Sequence, residues 1–217
     1  MADSRINHQD ARDYWQSIDA DVNGMLGGFP YISKVDLQGS KSFLAKLGIG
    51  GKSGRKVERV VDCGAGIGRV TEGLLKNIAE TVDIVEPIAK FSDALKGKEG
   101  IGAIFNVGLE EWSPEEPGYD LIWSQWCLGH LTDAQLVIYL EKCGKVLKEG
   151  GYVIVKENLS SSGEDIFDEL DSSVTRIDKK FRELFAQANM KIKKTEIQNG
   201  LPKGLYTVRI YALQPAQ

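Results

Sequence analysis

Apolar positions along this chain change their period twice. Near the N-terminus, Ala11, Tyr14, Trp15 and Ile18 fall at i, i+3, i+4 and i+7, the stripe of an amphipathic helix. The glycine-rich stretch "NGMLGGFPYIS" follows, and its apolar set Met25, Leu26, Phe29, Tyr31 and Ile32 reads as a lid or channel wall rather than core. Gly24, Gly27 and Gly28 would give such a segment mobility. A second short helix is predicted over Ser40 to Leu47. From residue 57, apolar runs of strand length alternate with helical stripes. "VERVVD", "TVDIVE", "GAIFNVG", "YDLIW" and "GYVIVKE" read as strands, with "RVTEGLLKNIA", "IAKFSDALKG" and "DAQLVIYLEKCGKVLK" as helices among them. That alternation implies βαβ units and a parallel sheet covered on both faces. A helix from about Val174 to Asn189 then precedes "MKIKKTEIQ" and "LYTVRIYAL", two period-two runs whose short link predicts antiparallel pairing.

Composition narrows the class without naming a chemistry. The 217 residues suit one domain of ordinary size, and no linker or repeat divides them. A net charge of -4 and the lack of a Lys/Arg block speak against a nucleic-acid partner. Cys63, Cys127 and Cys143 form no CxxC pair, which speaks against a disulfide scaffold and a zinc site; no metal is expected. Cys127 and Cys143 read as small buried hydrophobes. The polar opening "MADSRINHQD" has no apolar signal core, and no run approaches membrane-span length. The expectation is a soluble cytosolic protein with no membrane partner. His8, in that polar opening, reads as solvated.

The strongest chemical signal is "VVDCGAGIGRV". It sets Gly64, Gly66 and Gly68 between a strand and a helix, where glycines permit a tight turn and close approach to a ligand. The spacing is GxGxG rather than the dinucleotide GxGxxG. Glu86 closes the next strand, placed to accept hydrogen bonds from two ribose hydroxyls. Arg69 could form a two-bond fork with a carboxylate. Ribose together with a free carboxylate points to S-adenosylmethionine; a nicotinamide dinucleotide and a loop that merely turns remain the alternatives.

A second signal follows the strand "YDLIW". The segment "SQWCLGHL" carries Gln125, Trp126 and His130 away from the carboxyl end of a strand, where open α/β sheets bind ligands. Taken alone, Trp126 and Trp15 are as easily core residues, and a lone histidine is more often a structural group. "FDELDSS" reads either as an acidic recognition loop or as a cap, with Ser172 or Ser173 starting the next helix.

The strand order, ending in an antiparallel pair, resembles the class I methyltransferase fold. That fold is α/β and Rossmann-like, with a seven-stranded, mostly parallel sheet, its last strand antiparallel, and helices on both faces. Here it carries an N-terminal helical extension. Within one domain over 1–217, residues 1–50 would form helices and a lid-like segment and 57–157 the cofactor-binding core. Residues 158–217 would supply the substrate loop, a helix and the terminal strands. The stretches "YW…VNGMLGG", "DCGAGIGR", "WCLGHL", "VKEN", "DELDSSVTR" and "GLP…LY", in this order, resemble the alpha N-terminal protein methyltransferases from about Tyr14 to Leu213.

The resemblance implies S-adenosylmethionine as methyl donor, S-adenosylhomocysteine as product, and the free α-amine of proteins beginning Xaa-Pro-Lys, after initiator Met removal, as acceptor. A same-fold enzyme acting on a small-molecule amine is the alternative. It further implies ribosomal proteins among the substrates, a monomer, and a cytoplasmic location that extends to the nucleus. Gly64, Gly66 and Arg69 would hold the methionine end of the cofactor and Glu86, beside Pro87, its ribose. Leu109, Glu110 and Gln125 would line the adenine side. The family commonly has aspartate where Glu86 stands, and the extra methylene still reaches ribose. Trp126 would pack on the substrate proline, and Asn158 would hydrogen-bond the first residues of the substrate backbone. Asp168 and Asp171 would receive the lysine and the amine, with Asp171 and His130 as the candidate bases. Trp15, Leu26, Gly27, Gly28, Ile32, Ser173 and Tyr206 would wall the channel. The chemistry agrees: an α-amine loses its proton near pH 8 and a lysine amine near about 10.4, a difference of roughly 3 kcal/mol.

Overall fold

A computed structural model describes residues 1–51, 54–114 and 118–216. Seven strands form one sheet: β1 (Val57–Cys63), β2 (Ala79–Val85), β3 (Ile101–Phe105), β4 (Tyr119–Gln125), β5 (Leu147–Leu159), β8 (Met190–Ile197) and β9 (Thr207–Pro215). A small separate ribbon pairs β6 (Ile166–Asp168) with β7 (Ser173–Thr175). The sheet order is β3-β2-β1-β4-β5-β9-β8, with β9 antiparallel to both of its neighbours and the β1–β5 pairings parallel. The chain thus runs outward from β1 in one direction through β3, then returns to lay β4 on the other side. That reversal opens a crevice at the carboxyl ends of β1 and β4, where Cys63 and Ser124 pair.

Side-chain alternation divides the sheet between two cores. Ile122 of β4, Val153 and Val155 of β5 and Tyr211 and Leu213 of β9 face α6 (Asp133–Val146) and α7 (Asp178–Gln187), through Leu136, Tyr139, Leu140, Phe181 and Phe185. Leu121, Trp123, Ile154, Ile210 and Ala212 face the other way, toward Phe43 and Leu44 of α3 (Ser33–Ala45) and Val70 of α4 (Arg69–Gly73). A central position covered on both faces explains why β4 is buried along its whole length rather than on alternate residues. The N-terminal helices α1 (His8–Ser17) and α2 (Val22–Met25) lie ahead of α3, and α5 (Ala89–Ser92) follows β2. Among the described residues, no helix is long and apolar enough to cross a membrane.

Several boundaries differ from the sequence reading. Helix α3 starts at Ser33 rather than Ser40, because the apolar residues given to a lid are partly folded in. Leu26 and Ile32 are buried, whereas Phe29 and Tyr31 are exposed. The helix predicted after the glycine loop stops at Gly73, gives way to a 3-10 turn over Leu75–Asn77, and Ala79 already begins β2. Gly73 is a poor helix residue and has no room for a β-carbon, which would lie 2.6 Å from a Leu37 methyl. The helix after β2 is likewise short, and Asp93–Leu95 continue it as a 3-10 turn. Val174 lies in β7, so α7 begins only at Asp178, with Ile177 at its N-cap making no side-chain cap bond. Neither Ser172 nor Ser173 caps it. The Ser172 hydroxyl instead accepts the Asn7 N–H at 2.8 Å.

Candidate active site

The crevice at the carboxyl ends of β1, β2 and β4 is a single pocket. It is lined by the glycine loop, the turn after β2, residues 108–110, the segment leaving β4, and α1. Gly64, Gly66 and Gly68 all have positive φ, 69°, 55° and 79°, which side chains rarely tolerate. A β-carbon on Gly64 would lie 2.4 Å from that of Cys127, and one on Gly66 would lie 2.7 Å from the Met25 sulfur. The loop is therefore closed against its neighbours. Its backbone is set partly by Glu86, whose two oxygens accept the N–H groups of Gly66 at 2.7 Å and Ile88 at 2.9 Å. Burial pushes the Glu86 carboxyl up to about 7, against those two N–H groups that favour its ionised form. Burial raises Asp62 as well, to about 6, while the Thr71 hydroxyl donates to it.

Arg69 begins α4 and reaches into the same pocket. Its Nη1 lies 2.8 Å from Asp36, and its guanidinium sits 5.5 Å from the centre of the Trp126 ring. Trp126 is the turning point of "SQWCLGHL": it adopts a left-handed φ of 55° directly after β4, where a non-glycine residue is strained. Two buried groups that sequence reading missed hold this turn. Glu157 Oε1 accepts the N–H groups of Cys127 and Leu128 at 3.0 and 2.9 Å. Arg176 donates to the carbonyls of Leu128 and Leu131 at 3.0 and 2.5 Å. Burial raises Glu157 to about 7.

His130 hangs from this clamped turn, and its Nε2 accepts the Trp15 indole N–H at 3.1 Å. Asp171 lies 4.0 Å from the same nitrogen. Burial lowers the pKa of His130, with the Asp171 charge opposing. Trp126 Nε1, His130 Nδ1 and Asp171 Oδ1 are buried without hydrogen-bond partners among the described residues. Buried polar atoms nearly always have partners, so those on Trp126 and His130, which line the pocket, and on Asp171, which adjoins it, are positions that a ligand can complete.

Of the residues singled out from sequence, Trp15, Gly64, Gly66, Arg69, Glu86, Pro87, Leu109, Glu110, Gln125, Trp126 and His130 share this pocket. Gln125 lines it, but its amide nitrogen donates to both Asp36 oxygens at 3.0 Å. Asp171 adjoins it through His130. Leu26, Gly27, Gly28, Ile32, Asn158, Asp168, Ser173 and Tyr206 lie outside its lining, with Gly27, Gly28, Asp168 and Tyr206 exposed. His8 is half-buried rather than freely solvated: it lines the pocket, with Nε2 3.0 Å from Gln135 Nε2. Its neighbour Arg12 pairs with Glu110 at 2.7 Å, fastening α1 over the crevice.

Residues 3–214 match a family described as AdoMet-dependent proline di-methyltransferases. The chain belongs to this family. It is 45% identical over 216 residues to alpha N-terminal protein methyltransferase 1 of Schizosaccharomyces pombe, covering 96% of each chain. It is 40% identical to N-terminal Xaa-Pro-Lys N-methyltransferase 1-B of Xenopus laevis, covering 94% of this chain and 93% of that one. A solved SAM-dependent methyltransferase of Leishmania major superposes with a TM-score of 0.89 at 34% identity, over 95% of this chain and 82% of that one. The fold and the cofactor expected from sequence are thereby borne out: this is a class I methyltransferase dependent on S-adenosylmethionine. The pocket suits that cofactor. The glycines leave no β-carbons at the loop, Glu86 retains lone pairs for hydroxyl donors, and Arg69 has donors in excess of its bond to Asp36.

Proposed function

We propose that the protein methylates the free α-amine of polypeptides beginning Xaa-Pro-Lys. The carrying observation is the set of unpartnered polar atoms on Trp126 and His130, which line the same crevice as the glycine loop, and on Asp171 beside His130. S-Adenosylmethionine, when bound, would supply a methyl group on a sulfonium; the lone pair of an uncharged amine would form the N–C bond as the C–S bond breaks and S-adenosylhomocysteine leaves. The protein's residues must therefore orient the amine and take its proton. Trp126 offers an indole face for the substrate proline. Asn158, on β5, is assigned to the substrate backbone, and Asp168, at the end of β6, to the third-position lysine. Leu26, Gly27, Gly28, Ile32, Ser173 and Tyr206 are assigned to the outer channel.

The hydrogen bonding supports Asp171 over His130 as the base. The Nε2 lone pair of neutral His130 is occupied by the Trp15 N–H, which leaves the proton on Nδ1. Asp171 Oδ1 has lone pairs and no partner. Asp171 is therefore the proton acceptor, and His130 holds the wall in place. The same reading takes ribosomal proteins with Xaa-Pro-Lys termini as substrates, the chain acting as a monomer in the cytoplasm and the nucleus.

Mass spectrometry of an Ala-Pro-Lys peptide incubated with enzyme and cofactor tests this. Methylation of the free peptide and none of its N-acetylated form is expected; equal modification of both would refute the reading. Asp171→Asn should lower kcat by at least about 100-fold, the lower range for a lost general base, and His130→Ala by less. The reverse order would make His130 the base.

A further inference from the structure

Behind Arg69 lies a buried charge cluster that no part of the mechanism above uses. Lys156, on β5 beside Gln125, is fully buried, and so is Asp36 of α3. Lys156 Nζ lies 2.5 Å from Asp36 Oδ1, 3.1 Å from the Asp36 carbonyl, 2.8 Å from Ser40 Oγ and 2.9 Å from Gln198 Oε1. Three of those four oxygens can only accept, which requires three donors and hence the ammonium form. The Gln198 amide is oriented by its own donor bonds to the Val35 and Asn199 carbonyls, so its oxygen faces the lysine. The other oxygen of Asp36 meets Arg69 at 2.8 Å. Burial would raise the Asp36 pKa, yet the charges of Lys156 and Arg69 together hold it below the ordinary carboxylate range.

The cluster therefore contains two cations and one anion. An isolated Arg69–Asp36 pair would be neutral and would offer an incoming carboxylate little attraction. With Lys156 sharing Asp36, one positive charge is left over. It is expressed at Arg69, the member that lines the pocket. Arg69 spends Nη1 on Asp36, with Ser33 Oγ at 3.5 Å, while Nε and Nη2 have no hydrogen-bond partner among the described residues. Asp62, the other carboxylate acting on Arg69, is turned onto the Thr71 hydroxyl.

We propose that Lys156 is a positioning residue for the cofactor: by neutralising Asp36 from behind, it leaves the charge of the Arg69 guanidinium uncompensated toward the pocket, for the carboxylate of the methionine end. This rests on the assignment of Arg69 to that carboxylate. The binding consequence is selective, because it concerns only the charged end of the cofactor.

Calorimetry with two probes tests it. S-Adenosylhomocysteine carries the carboxylate, and 5′-methylthioadenosine retains the adenosine but lacks the amino-acid end. Lys156→Met should weaken S-adenosylhomocysteine binding at least about tenfold and leave methylthioadenosine within about twofold of the parent. Retained methylthioadenosine binding also reports that the variant is folded. Asp36→Asn removes the anion, so S-adenosylhomocysteine affinity should hold or rise. Unchanged affinity in Lys156→Met, or equal losses for both probes, would overturn the proposal, as would a loss in Asp36→Asn. Arg69→Met checks the underlying assignment separately: if it binds both probes like the parent, Arg69 does not hold the carboxylate at all.

Discussion

Glu86 does two jobs with one carboxylate. It fixes the backbone of the glycine loop and of the turn after β2, and it presents the remaining lone pairs to the pocket. Its burial carries a consequence for binding. The free protein holds this group near neutrality, at about 7, and hydroxyl donors from a ribose favour the ionised form. Cofactor binding then releases a proton below that pH, so affinity must rise with pH up to about 7 and level off above it. S-Adenosylhomocysteine should bind several-fold more tightly at pH 8 than at pH 6 in titration calorimetry, and Glu86→Gln should flatten the profile. A flat profile in the parent would remove Glu86 from the ribose site.

At the scale of elements, the segment leaving β4 is held rather than free. Glu157 clamps the N–H groups after Trp126 from β5, and Arg176, the residue after β7, clamps the carbonyls. Glu157 is raised from an ordinary 4.5 to about 7 by burial, so the folded state prefers it protonated. Its stabilising contribution is complete below about 4.5 and is lost as pH rises through about 7. Glu157→Gln keeps an acceptor for both N–H groups and cannot ionise. Denaturant unfolding should show the variant gaining roughly 2–3 kcal/mol relative to the parent between pH 5 and 8. No relative gain would mean that Glu157 is already ionised in the fold. This clamp was not legible in the sequence. "VKEN" shows a strand end, yet nothing in it says that the lysine faces α3 while the glutamate turns to the loop after β4. Strand alternation predicts opposite faces, but only the sheet order puts β5 beside β4. The strands themselves were legible because central parallel strands carry apolar runs, such as Val60 and Val61 in β1 and Leu121, Ile122 and Trp123 in β4. The helices after β1 and β2 were overread because an apolar stripe does not reveal that a glycine such as Gly73 is pressed against Leu37.

At the scale of the molecule, the N-terminal region closes the crevice that the sheet opens. Arg12 bonds Glu110, Trp15 bonds His130 and Asn7 bonds Ser172, so α1 spans from the cofactor side to the acidic segment. Its apolar stripe was visible in sequence as a helix, but its target was not, since the stripe meets a pocket wall rather than the core. On the proposed reading one cleft serves both ligands, with the glycine loop and Glu86 at one end and Trp126, His130 and Asp171 at the other. It also makes a chemical claim, that the amine presented to Asp171 is the terminal one. A single peptide beginning Ala-Pro-Lys contains both kinds of amine. Tandem mass spectrometry of the methylated product places the added mass on one or the other. All methylation on the alanine α-nitrogen is the predicted result; methyl groups on the lysine ε-nitrogen with an unmodified α-amine would contradict the account.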